Sequence, residues 1–242
     1  MIKKSIKDGL RARAYERIPV KDIARLLDTQ DFIVAGNSLN KAKPNDFDIY
    51  GFEASINFSY IRDRVDEYDW CRIICETQNA LTVEVNKNIL QFCKYLKRDV
   101  QKLIESFDFS HCQVAVHIHM IDNDTYSIEP YYTEDWLYSK SIESSFYTVS
   151  EYPLSSLMRA RKYAERGMFT GNSYMFEVLK ILTDIIERGF ENYYDFKDQL
   201  DAIDLQLLKD DSDNDVGYDV AMNLYNACGR RGLVKEYESE RD

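Results

Sequence analysis

The chain has 242 residues with a hydrophobic content of 45%, enough to bury a core in one catalytic domain, or in such a domain with a smaller appendage. Only 9 glycines and 4 prolines accompany that content, which excludes a disordered or fibrous chain. A formal net charge of −11 excludes a general attraction to nucleic acid or anionic membrane, so any RNA contact needs a local basic patch.

The five cysteines are in no framework spacing, no stretch reads as a signal peptide, and no apolar run nears 18 residues. These features point to a reducing cytoplasm and no membrane partner. Residues 3–27 open with Lys3, Lys4, Lys7, Arg11 and Arg13 and continue with Val20, Ile23, Ala24, Leu26 and Leu27 at helical spacing; Pro19 divides two short helices. The basic start suits either RNA phosphates or a solvated helical face.

Phe32-Ile33-Val34-Ala35 is an apolar run bounded by turn residues, the pattern of a buried strand. Gly36-Asn37-Ser38 follows as a turn whose N–H groups and hydroxyl can meet a phosphate, especially if a short helix begins there. Lys43-Pro44-Asn45 is the next break. Asp46-Phe47-Asp48-Ile49-Tyr50 then alternates acid and apolar, as a half-buried strand does. Side chains at i and i+2 share a face, roughly 7 Å apart, so Asp46 and Asp48 point one way while Phe47 and Ile49 enter the core. Mg²⁺ relieves the repulsion of two such carboxylates, taking one or two of them together with phosphate oxygens. The plain alternative is two solvated acids on an exposed face.

Strand, Gly-x-Ser, about eight residues, then Asp-x-Asp between apolar positions resembles the nucleotidyltransferase superfamily typified by DNA polymerase β. Lys43 to Ile49 is also similar to the head domain of tRNA CCA-adding enzymes and bacterial poly(A) polymerases. Where those enzymes carry Gly-Gly and later Arg-Asp, this chain has Gly36-Asn37 and Asn40-Lys41. The resemblance implies an NTP substrate, Mg²⁺ on Asp46 and Asp48, and a third metal-binding carboxylate on a later strand. By the pattern of the CCA-adding head that place falls on Gln91, a weaker, neutral ligand; Glu84 and Asp108 are the candidate substitutes.

Ile56 to Tyr68 reads as a helix. Trp70 to Thr77, Leu81 to Val85 and Ile89 to Tyr95 read as a β-meander with turns at Asn79 and Asn86-Lys87-Asn88. After a helix from Arg98 to Ser106 comes Phe107-Asp108-Phe109, then His111-Cys112. With the run Thr77 to Val83, this resembles phage-encoded nucleotidyltransferases; Asp108 is either a catalytic acid or a turn or capping residue. His117 and His119 share a face of the strand Gln113 to Met120 and raise a zinc reading, for which four ligands in recognisable spacing are lacking. Tyr126 to Tyr132 supplies the last strand, and Thr133 to Tyr152 reads as a polar, aromatic connection.

From Pro153 the chain reads as helices, which places a boundary near residue 150, with a catalytic domain over 1–150 and a helical one over 151–242. Pro153 to Phe169 has proline at its start and Gly167 near its end. Arg159, Lys162 and Arg166 form a basic stripe, and Arg161 falls in the apolar one, where it needs an acid partner or a ligand. The segment is similar to the helix following the head in CCA-adding enzymes, with Arg159 and Lys162 at its first two arginines. That implies triphosphate contacts for these two residues. Asn172 to Arg188 and Phe190 to Leu208 follow as helices. Asp210 to Asp215 resembles the start of an EF-hand loop, but Val216 and Met222 stand where glycine and glutamate belong. Val216 to Cys228 is a last helix, and the charged tail after Gly232 is expected to fray.

The sequence therefore predicts an α+β nucleotidyltransferase, a mixed sheet with flanking helices and a C-terminal helical region. Asp46, Asp48 and Asp108 are its expected catalytic acids. Gly36, Asn37, Ser38, Arg159 and Lys162 are the expected nucleotide contacts. The acceptor implied by resemblance is an RNA 3′ end, tRNA in particular. The alternatives are a protein or small-molecule hydroxyl, or a silent nucleotide- or RNA-binding relative.

Overall fold

Alternation along the strands decides the architecture, because each strand offers one apolar row to each face or to one face only. The computed structural model describes residues 2–40, 44, 46–52, 54–77, 79–94, 99–122, 124–202 and 218–236. The chain divides into two compact units, 1–142 and 143–242.

The first unit contains α1 (Ile2–Arg17), α2 (Val20–Leu26), β1 (Asp31–Ala35), a 3₁₀ turn (Asn37–Asn40), β2 (Phe47–Gly51) and α3 (Phe58–Glu67). Next come β3 (Cys71–Glu76), β4 (Ala80–Val85), β5 (Asn88–Cys93) and α4 (Val100–Glu105). A second 3₁₀ turn (Ser110–Cys112), β6 (Val114–Met120), β7 (Tyr126–Tyr132) and α5 (Glu134–Ser141) complete it. Among the described residues, seven strands form one sheet in the order β3-β4-β5-β2-β1-β6-β7. Within this sheet of described residues the β2–β5 pairing is parallel and the other pairings are antiparallel.

One face of the sheet presents Phe32, Val34, Phe47, Ile49, Val83, Leu90, Phe92 and Val116 to Leu10, Ile23, Leu26, Ile61, Val65 and Trp136, which come from α1, α2, α3 and α5. The other face is covered in part. There Ile33, Ala35 and Ala115 pack on Val100, Leu103 and Ile104 of α4, with Tyr50, Phe52, Phe107 and Tyr131 around them. Because α4 lies over β6 and β7, it caps the β1 side of that face.

Helix starts are set by side-chain acceptors for otherwise unpaired N–H groups. Asn57 accepts from Ser59 and Tyr60, Asp99 from Gln101 and Lys102, and Thr133 from Trp136. The last of these corrects the expectation of a connection after Thr133: α5 stands there. Its sequence, with only Trp136 and Ser139 buried, carries too short an apolar stripe for periodicity to reveal it.

The second unit contains α6 (Pro153–Glu165), α7 (Ser173–Arg188), α8 (Tyr193–Asp201) and α9 (Tyr218–Gly229). Ala160, Ile181, Ile185, Phe190 and Phe196 are buried in it, and Phe190 meets Phe196 edge-on at 5.1 Å. The buried Glu177 carboxylate accepts the Tyr147 N–H at 2.7 Å and the Lys180 ammonium at 3.1 Å. Arg161 departs from its expected place, since it is exposed and pairs with Glu165 one turn on. The inward line of α6 runs through Ser156 and Ala160 instead.

The tail does not fray at once after Gly232. Leu233 accepts from the Phe190 N–H at 2.7 Å, Lys235 donates to the Phe190 carbonyl at 2.8 Å, and Val234 is buried. The acidic run Asp210 to Asp215, Lys43 and Asn45 of the expected break, and residues 237–242 lie outside the described residues. The architecture is α+β, a mixed sheet with flanking helices followed by a helical region. No helix among the described residues is long and apolar enough to cross a membrane.

Candidate active site

β1 carries Phe32 to Ala35 fully into the interior and ends at Gly36, whose φ of 88° lies in the left-handed region that glycine enters without strain. Gly36 still belongs to the sheet through its own N–H, which donates to Val114 at 2.9 Å. It therefore gives the turn its shape rather than a donor. The chain then tightens into the 3₁₀ turn, with Leu39 N–H closing on the Gly36 carbonyl at 3.3 Å.

Asn40 fastens this turn from below. Its Nδ2 donates to the His111 carbonyl at 2.6 Å and to Asn37 Oδ1 at 3.3 Å, and its Oδ1 accepts from Trp136 Nε1 at 3.1 Å. One side chain thus links both 3₁₀ turns to α5. Asn37 Nδ2 is buried and, among the described residues, has no hydrogen-bond partner. A buried donor left so costs on the order of 1–3 kcal/mol unless a ligand meets it. Ser38 is buried, and its hydroxyl is turned toward the Ala35 carbonyl at 3.5 Å.

The acid strand runs antiparallel beside β1, with Asp48 opposite Ala35. Phe47 and Ile49 are buried while Asp46, Asp48 and Tyr50 are half-buried. That alternation puts Asp48 and Tyr50 on the face shared with Ala35, while Asp46 stands just before the strand, which begins at Phe47. A Cβ built on Gly36 would stand 3.1 Å from Asp48 Oδ2, so the carboxylate lies directly against the bend. On its other side Asp48 is in register with Gln91 of the parallel strand β5, and Gln91 with Thr82. The row across the sheet reads Thr82, Gln91, Asp48, Ala35, Ala115, Tyr131.

Position 91 therefore neighbours the acid pair, as the CCA-adding pattern implied, and it carries an amide. Glu84 is on the same face but is held by Arg72 Nε at 2.5 Å on the sheet edge. Asp108 is buried beside Phe107, whose ring lies 6.2 Å from that of Tyr50. Among the described residues, no three His, Cys, Asp or Glu side chains are arranged to hold a metal ion. His117 and His119 both reach Asp31 Oδ1, at 3.0 and 2.9 Å. Arg159 and Lys162 lie half-buried on α6 in the second unit.

Electrostatics follow from the row. Burial, then the Cys93 and Asp48 charges, push the Tyr50 phenol well above its ordinary value. Burial and then the Asp48 charge do the same to the Cys93 thiol. Both groups stay neutral and cannot compete with the carboxylates for a cation. The bend thus brings together the half-buried Asp48 carboxylate and a glycine with no side chain in the way, and the turn that follows holds the buried Asn37 amide donor, without a partner among the described residues.

Fold and site define an α+β protein in which the Asp48 carboxylate lies against a glycine turn at the end of the neighbouring strand. The model of the family described as Gabija anti-defense 2 family protein matches residues 6–136, more than half of the chain, and the chain belongs to that family. Comparison with curated protein sequences gives no match. Among solved structures, the chain is similar to one described as "tRNA-processing enzyme (apo form I)", at 12% identity and a TM-score of 0.43 over 99% of this chain. The chain spans 60% of that protein's length.

Proposed function

We propose that the protein is a metal-dependent nucleotidyltransferase, moving a nucleoside monophosphate from an NTP to an acceptor hydroxyl, and that this transfer is how it opposes the Gabija defence its family's name refers to. The observation that carries the reading is the Asp48 carboxylate lying against Gly36, with Asp46 two residues before it and, in the turn that follows Gly36, the Asn37 amide unpartnered among the described residues. A solvated acid pair would need neither the bend nor the orphaned donor.

Asp46 and Asp48 would hold Mg²⁺. When bound, the ion offsets triphosphate charge and acidifies an attacking hydroxyl. Asn37 Nδ2 would donate to a phosphate oxygen, and the absence of a Gly36 side chain leaves that oxygen room. The acceptor oxygen forms a bond to the α-phosphorus as the bond to the β-phosphate oxygen breaks; the hydroxyl proton passes to solvent and pyrophosphate leaves. The burial that keeps Tyr50 and Cys93 neutral favours the metal on the aspartates. By sequence resemblance the acceptor is an RNA 3′ end. Family membership supports a second reading, a hydroxyl on a protein of the defence system itself.

The test is a label-transfer assay with each α-labelled NTP, Mg²⁺, and either total RNA or the Gabija proteins. Transfer by the wild type, lost in Asp46→Asn and Asp48→Asn, is the expected result. Undiminished transfer in those variants rejects the site. NTP binding without transfer to any acceptor favours a silent relative, for which Gln91 is the motive.

A further inference from the structure

The inward stripe of α1 runs through Ile6, Leu10 and Ala14, with Leu10 and Ala14 buried. Arg13 lies on that stripe, three residues after Leu10 and one before Ala14, and is half-buried. A cation so placed normally finds an acid. Arg13 does not: among the described residues its buried Nε has no hydrogen-bond partner and the side chain forms no ion pair.

A second cation sits on the helix tied to the Asn37–Asn40 turn through Trp136. Lys140, near the end of α5, holds its Nζ 5.6 Å from the centre of the Trp136 ring, and among the described residues it too lacks an ion-pair partner. Partial burial and then the Arg13 charge keep the Lys140 ammonium below its ordinary pKa. Two like charges brought together without an acid are unfavourable on their own, and an anion between them removes the penalty.

Their location narrows the anion. α1 packs against the Asn37–Asn40 turn, and α5 is tied to the same turn by the Trp136 to Asn40 hydrogen bond. Arg13 and Lys140 are thus carried by the two helices that flank the phosphate turn of the proposed site, in a protein whose net charge is −11. Guanidinium and ammonium groups together suit phosphoryl oxygens, the first by directed N–H bonds and the second as a point charge.

We propose that Arg13 and Lys140 form an oxyanion subsite for a phosphoryl group beside the Asn37–Asn40 turn, filled by the phosphates of the NTP or by the backbone of an RNA strand. Its place in catalysis rests on the nucleotidyltransferase reading. Its affinity for phosphoryl groups does not.

The experiment titrates a non-hydrolysable ATP analogue with Mg²⁺, and separately a short single-stranded RNA, into the full chain and into R13Q, K140Q and the double variant. About tenfold weaker binding of the analogue in the double variant is the expected result and identifies the triphosphate as the source. Weakening confined to the RNA, with a shallower salt dependence, supports the subsite and identifies the strand backbone. Unchanged affinity for both probes overturns the proposal. Because Lys140 is exposed, K140Q tests it without disturbing the fold should R13Q not fold. Asp48→Asn separates the two readings: if wild-type transfer is also absent while the Arg13 and Lys140 effects on binding persist, the transferase reading fails and the subsite stands.

Discussion

Gly36 and Asp48 are held against each other across the β1–β2 pair, so that a single methyl group added at position 36 would stand 3.1 Å from the Asp48 carboxylate. The same position has a φ of 88°, where an L side chain costs about 1–2 kcal/mol. Gly36→Ala is therefore expected to lower stability by about that amount and to shift Asp48 as well. Urea unfolding reads the first effect, and Mg²⁺-dependent label transfer the second. Transfer should fall well beyond what the loss of folded protein explains. Wild-type transfer in this variant would mean that Asp48 can move without consequence.

The register between Asp48 and Gln91 allows a gain to be tested as well as a loss. Gln91→Glu adds a third carboxylate beside an existing pair, which raises repulsion when no cation is present and strengthens the site when one is. The expected outcome is a variant about 1 kcal/mol less stable than wild type in chelator, with a larger rise in melting temperature on adding Mg²⁺ or Mn²⁺. If its stability responds to these ions no more than that of the wild type, position 91 does not face the metal.

Asn40 connects three elements through hydrogen bonds to His111, Asn37 and Trp136. Truncating it to alanine strips the Trp136 indole and the His111 carbonyl of these bonds, which predicts a loss of about 2 kcal/mol. Asn40→Asp preserves the acceptor for Trp136 but sets a carboxylate oxygen against the His111 carbonyl and Asn37 Oδ1, both acceptors, so it should lose at least as much as the alanine variant. Denaturant midpoints of the three proteins give the order. An Asn40→Ala protein as stable as wild type would show that the two 3₁₀ turns hold their place without it.

Much of this was legible in the sequence because period-2 patterns are hard to mistake when both neighbours of an acid are large and apolar, as with Phe47 and Ile49 around Asp48. Glycine before a polar turn was equally readable, and Gln91 was singled out by the resemblance to the CCA-adding head before its register with Asp48 was seen. What stayed hidden depends on partners distant in the chain. α5 carries too few buried residues for a helical period, and its position follows from the Thr133 cap and from Trp136 reaching Asn40, 96 residues away. Arg161 looked inward because the apolar stripe expected of this segment passes through it; Ser156 and Ala160, small enough for close helix packing, turned the helix the other way. The tail after Gly232 pairs with Phe190, a contact that local composition cannot announce. Arg13 was visible as a basic residue, and its place between Leu10 and Ala14 on the inward stripe was the available sign that it is not merely solvated.

The neutral pair Tyr50 and Cys93 gives the site a pH dependence of definite sign. Both groups ionise in the unfolded chain near their ordinary values, 10.0 for the phenol and 9.0 for the thiol, and both are raised in the folded protein, by burial first. Where the unfolded chain has lost these protons and the folded one retains them, stability falls as pH rises. Their contribution is thus present in full below about pH 9 and is lost as the pH climbs from there toward the folded-state values. Urea midpoints measured between pH 7 and 10.5 should be flat at first and then decline, with Cys93→Ala flattening the onset near pH 9. Asp48→Asn removes one of the charges that raise both groups, so its decline should be shallower than that of the wild type. An alkaline decline unchanged in both variants would place its origin elsewhere in the molecule and separate Cys93 and Tyr50 from the carboxylate they are taken to adjoin.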